Sequence, residues 1–202
     1  MPQQINHEKS FVHATALYFF ILLFTTIMTS CDQQRADENA IKRYFDLKGF
    51  VENQIVYLNE KKPEAMKSAK LDGELQTVKS RDIDWKKELE LFIQADINKP
   101  SYAQSYNVVR KDSSTYEYRL RENADLPVRY LKIVTDSTIQ SPVKVLAVLQ
   151  SHNRIYESEK QIELTCIEKD NLWQVSAYSV KGYQKLIFME PKHFEISSRI
   201  GL

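Results

Sequence analysis

Glycine and cysteine are scarce in this 202-residue chain, with four of the first and two of the second. Gly49, Gly73, Gly182 and Gly201 are dispersed, the nearest two standing 19 residues apart. A phosphate-cradling loop needs clustered glycines so that backbone N–H groups can approach the ligand, which excludes nucleotide-binding loops of that kind. An excess of one charge sign is missing too. The 28 basic residues offset 27 acidic ones, for a formal net charge of +1 without long runs of either. No clustered basic surface results, so nucleic acid is not an expected partner. A composition 43% apolar and 27% charged is that of one ordinary globular domain.

Long apolar runs are equally rare, and the one present lies near the N-terminus. From Phe11 to Ser30 there is no Lys, Arg, Asp or Glu, and residues 14–24 are interrupted only by Thr15. A polar, Lys9-bearing start, a short apolar stretch and a small-residue exit form the pattern of a secretory signal. A permanent span would need about 20 predominantly apolar residues, and Thr25, Thr26, Thr29 and Ser30 weaken this one at its end. The run stops at Met28-Thr29-Ser30-Cys31. That tetrad resembles the lipobox of bacterial lipoproteins, over residues 1–31 only. The resemblance implies a signal peptide over residues 1–30, cleavage before Cys31, and a Cys31 sulfur carrying diacylglycerol with palmitate-type chains. Two or three acyl chains anchor stably because each buried CH₂ contributes about 0.8 kcal/mol. A plain secretory signal followed by a chance cysteine is the alternative. On the lipoprotein reading the domain sits outside the cytoplasm, tethered to the inner or the outer membrane of the cell envelope.

Residues 31–39 read as a polar tether, and residues 40–202 as a single α+β domain. Ile41, Tyr44, Phe45, Val51, Ile55 and Leu58 predict a helix over 40–60 that stops at Lys61-Lys62-Pro63. Asp72-Gly73 between two short strands predicts a hairpin. Asp84 offers an N-cap for a second helix over 85–96, with Trp85, Leu89, Phe92 and Ile93 on one face. Beyond residue 100 the pattern alternates with a period of two. Polar breaks fall at 112–114, 122–126, 136–141, 152–153 and 169–171, and Leu186-Ile187-Phe188-Met189 reads as the last strand. The expectation is an N-terminal helix, a β-hairpin, a second helix, then a six- or seven-stranded curved antiparallel meander with the helices on one face. That outline loosely resembles the half-barrel lipid-binding proteins of lipoprotein trafficking, in architecture alone and with no site residue carried over.

Chemistry is sparse. Without the signal peptide only His152 and His193 remain, and two His with one unpaired Cys make no metal set, so no metal or cofactor is expected. If Cys31 is acylated, Cys166 has no mate; its place in an alternating strand reads as a buried apolar residue rather than a nucleophile. No catalytic residue is assigned. Asp82, Asp84, Glu88 and Asp96 gather around the second helix, where a hydrolytic carboxylate pair would be the enzymatic alternative to a capped, solvated face. Tyrosine is the abundant aromatic, and Tyr116, Tyr118, Tyr130 and Tyr178 are candidates for a binding wall. The expected function is non-enzymatic, binding an envelope protein or an apolar ligand. An envelope hydrolase is the alternative.

Overall fold

The computed structural model describes residues 43–201 apart from residues 72 and 113, all within one compact unit, Lys42–Leu202. Cys31 and the apolar run before it lie outside the described residues, as does the expected helix start at residue 40. Helix α1 runs Leu47–Lys61 and follows a hairpin-free strap of residues 43–46. The Asp46 side chain accepts from Gly49 N–H at 3.1 Å and closes the first turn. A Cβ on Gly49 would lie 2.3 Å from that carboxylate, which accounts for a glycine inside the helical pattern. Lys62, in the left-handed region, ends the helix just before Pro63.

Strands β1 (Glu64–Leu71) and β2 (Glu74–Ser80) form the hairpin around Gly73. Two short helical turns follow, α2 (Trp85–Glu88) and α3 (Glu90–Gln94), where one helix over 85–96 was expected. The break falls at Leu89, which is fully buried and whose carbonyl accepts from Phe92 N–H three residues on, tightening the turn. Asp84 caps α2, as expected. Seven strands complete the chain: β3 (Tyr106–Lys111), β4 (Thr115–Leu120), β5 (Val128–Thr135), β6 (Pro142–His152), β7 (Tyr156–Lys169), β8 (Leu172–Leu186) and β9 (Lys192–Gly201).

All nine strands make one antiparallel sheet in the order β2-β1-β9-β8-β7-β6-β5-β4-β3. Sheet dominance is thus as expected, and the sheet is larger than a six- or seven-stranded meander because the hairpin pairs along β9 and extends it. The five polar breaks are the five turns between β3 and β8. Leu186–Met189 is the exception: it closes the turn between β8 and β9 instead of forming the last strand. The helices cover one face. Leu47, Val51 and Leu58 of α1 share a buried cluster with Leu131, Ile133, Val145, Ile162 and Leu164 of the sheet. The opposite face carries ion pairs such as Lys144–Glu163 at 2.8 Å and is polar, the arrangement of a one-sided antiparallel sheet.

Two β-bulges decide which side chains reach the helix side. Between Cys166 and Thr165 of β7, strand β8 spends an extra residue, Ser176, so Val175 and Tyr178 both face inward. A shift at Arg129 likewise turns both Val128 and Leu131 to the core.

Candidate functional site

Where α2 and α3 end, the inner face of β1, β9 and β8 is left partly uncovered. The register places three rows of side chains there. Lys67, Ser198 and Tyr178 form the first; Ala69, Ile196 and Val180 the second; Leu71, Phe194, Gly182 and Lys160 the third. Leu91, Glu88 and Lys87 of the helical turns make the wall above them. The groove between has a volume of about 580 Å³. Its floor is apolar, through Tyr178, Val180, Phe194 and Ile196, while Lys67, Lys87, Lys160 and Lys192 stand around it against Glu88. An apolar trough edged by cations suits a ligand with an apolar body and an anionic head.

The polar groups at the inner end are already paired. Lys67 Nζ donates to both Glu88 carboxylate oxygens, at 2.7 and 2.9 Å. Tyr178 O–H donates to the same carboxylate. Burial, then the adjacent Glu88, pushes the Tyr178 phenol above its ordinary pKa, so it stays a neutral donor. Its ring packs edge-on against Phe92 at 6.4 Å. Lys87 also reaches Asp84, at 3.1 Å on the exposed side. Gly182 lies between Phe194 and Lys160, where a Cβ would come within 2.0 Å of the Glu159 carbonyl oxygen. Only glycine lets β7 and β8 approach there, and it leaves the floor without a side chain.

The four tyrosines proposed as one wall are not brought together. Tyr116, Tyr118 and Tyr178 point to the inner face, and Tyr130 points to the outer one, beside Arg119. Tyr116 and Tyr178 stand four strands apart, about 19 Å at ordinary strand spacing. Tyr118 is buried against Tyr44, and its hydroxyl accepts from Phe45 N–H at 3.1 Å, locking down the strap before α1. Tyr116 packs on Phe45 and donates to Gln140. Tyr178 alone enters the groove.

The carboxylates around the helical turns have structural partners. Asp96, nearly buried, accepts from Lys48 N–H at 3.0 Å and Asn98 N–H at 2.8 Å, tying the start of α1 to the chain after α3. Asp84 is an exposed cap held below its ordinary pKa by Lys87, and Asp82 sits on the exposed loop before it. His152 is exposed and 3.8 Å from Asp125; His193 lies on the outer face near Tyr183. Among the described residues no group of three metal-ligating side chains converges. Cys166 is buried and free, its thiol pushed up to about 12 by burial.

Strand β9 supplies Phe194 and Ile196 and was missed in the sequence. Its signal is present: Phe194, Ile196, Ser198 and Ile200 alternate with a period of two. No protein-family model matches the chain, and neither a curated protein nor a solved structure matches it.

Proposed function

We propose that this protein is a lipid-anchored envelope lipoprotein whose folded domain holds an amphiphile non-covalently in the groove beneath α2 and α3. The observation that carries the reading is the groove itself. Its volume of about 580 Å³ falls inside the 300–1,000 Å³ of ordinary small-molecule sites, and its floor is apolar. The hydrocarbon body lies along Val180, Phe194 and Ile196, and the anionic head meets Lys160 and Lys192. Attachment through Cys31 rests on the Met28-Thr29-Ser30-Cys31 tetrad. Two or three acyl chains on Cys31 are enough for a stable hold, since each buried CH₂ contributes about 0.8 kcal/mol. Among the described residues no helix is long and apolar enough to cross a membrane.

The test is to extract the full chain from bacterial membranes in mild detergent and weigh it intact and after digestion. The expected result is a mature chain beginning at an acylated Cys31, with a single-chain anionic lipid retained in native conditions. A leading peptide that starts at residue 1 without acyl mass overturns the anchor. A groove that carries nothing, and accepts nothing offered, overturns the ligand.

A further inference from the structure

The turn between β8 and β9 exposes a row of apolar residues, Leu186, Ile187, Phe188 and Met189. Phe188 is 98% exposed, so its ring gains nothing from the fold. It also adopts φ +63°, in the left-handed region. Met189 N–H donates to the Leu186 carbonyl at 3.0 Å, which makes Phe188 the third residue of a β-turn. Glycine or asparagine ordinarily takes that place when φ is positive, and a Cβ there is strained. The chain therefore holds a large apolar side chain in water at a position where its backbone is also strained. The neighbouring β6–β7 turn adds exposed Ile155, whose carbonyl accepts from Ile187 N–H at 2.9 Å and binds the two turns side by side.

The position of this pair matters as much as its composition. Val128, Leu149, Lys160 and Gly182 lie level across β5 to β8. Past that row β5 has ended, while β6 runs three residues further to His152 and β9 pairs with β8 as far as Gln184. Strands β7 and β8 reach furthest, four residues or about 13 Å, to Tyr156 and Leu186. The described chain enters at this same end of the sheet. Arg43 and Tyr44 both donate to the Ala103 carbonyl, and nearby Ser105 accepts from Arg121 N–H just past the end of β4. From Cys31 to Arg43 the backbone spans at most roughly 40 Å. Arg154, Lys185 and Lys192 flank the turns against Glu157 and Glu190, a slight cationic excess.

We infer that the joined β6–β7 and β8–β9 turns form a finger that enters the interface of a lipid bilayer, with Phe188 leading. An exposed apolar pair of turns at the furthest reach of the sheet, with a mixed, mildly basic collar, suits a deformable apolar layer, and a chain anchored upstream of Arg43 would present this end of the sheet to it. The orientation rests on the anchoring reading above; insertion of the finger does not.

The experiment adds the full chain carrying Phe188→Trp to vesicles of three parts phosphatidylcholine to one part phosphatidylglycerol, with and without lipids brominated along the acyl chains. Subtracting the wild-type emission removes Trp85 and Trp173. The indole at position 188 is expected to shift to the blue and to be quenched by the bromines. Phe188→Gly provides the second variant: glycine relieves the positive φ, so this chain melts no lower than wild type. In a Cys31→Ser background its vesicle partitioning falls roughly tenfold, the factor for withdrawing one phenyl-sized side chain from apolar surroundings. Emission at position 188 that stays unshifted and unquenched on a vesicle-bound, acylated chain overturns the finger and leaves the anchor standing. A shift that develops without vesicles and scales with protein concentration also overturns it, in favour of a second copy. A Phe188→Trp chain with Cys31 intact that is recovered from bacterial membranes without acyl mass, and still shows the quenching, supports the finger and removes the anchor.

Discussion

The pairing of β8 with β9 ends at Ala177 and Arg199, so the backbone of β8 from Leu172 to Ser176 has no strand partner on that side. The side-chain amide of Gln54, nearly buried in α1, takes the vacant place. Its Nε2 donates to the Trp173 carbonyl at 3.0 Å, and its Oε1 accepts from Val175 N–H at 2.9 Å, as a peptide unit of a neighbouring strand would. Gln54→Ala removes both bonds and strands the N–H of fully buried Val175. Two hydrogen bonds at about 1 kcal/mol each, with part of the 1–3 kcal/mol for an orphaned buried donor, give a loss of about 3 kcal/mol. For a domain of this size that lowers Tm by about 6–12 °C. Urea unfolding of the full chain, followed by circular dichroism, reads it directly. Gln54→Glu sharpens the test. Its ionised carboxylate can still accept from Val175 but faces the Trp173 carbonyl with no proton. Folding therefore raises its pKa above the ordinary value of about 4.3, the folded state binds more protons, and stability falls as pH rises through that range. A Gln54→Ala loss under about 0.5 kcal/mol, or a Gln54→Glu stability indifferent to pH, refutes the role given to the amide.

Other consequences follow from the same contacts. Gly182→Ala places a Cβ against the Glu159 carbonyl oxygen, and because the obstacle is backbone the β7–β8 pairing must yield; a loss of about 2–4 kcal/mol is expected in thermal melts. The Cys166 thiol, at about 12, has about one part in ten thousand as thiolate at pH 8, so a thiol reagent should modify it only after unfolding. Because burial raises the pKa of Cys166 and also those of Tyr106 and Tyr178, the folded state retains protons that the unfolded state releases. Stability should accordingly be flat near neutrality and fall from about pH 9 upward, measured as urea midpoints against pH.

Much of the fold was legible because turns and periodicity are local. The Asp72-Gly73 hairpin, the five polar breaks and the Asp84 cap each depend on a few adjacent residues, and all lie where expected. The α1 boundary did not, because the residues before Leu47 follow the helical stripe yet are held out of the helix by distant partners: Asn98 bonds Tyr44 and Phe45, and Tyr118 bonds Phe45. The candidate site was less legible still. Strict alternation puts Val175 and Tyr178 on opposite faces, and a bulge at Ser176 brings both inward, so Tyr178 reaches the groove through an irregularity the pattern does not carry. The apolar run Leu186–Met189 reads as a strand by composition, whereas an exposed apolar turn breaks the rule that turns are polar. Such a breach is expected where a sequence answers to something outside the fold.

The central claim is that the groove takes an anionic amphiphile, and the most direct measurement is titration of the full chain with a fluorescent single-chain fatty acid. Saturable, one-to-one binding is predicted, abolished by Ile196→Trp, which fills the trough. Lys160→Met should weaken it roughly fivefold for the fatty acid and leave the matching uncharged alcohol unaffected. Binding that never saturates, or that survives unchanged in the filled variant with its fold intact, contradicts the account.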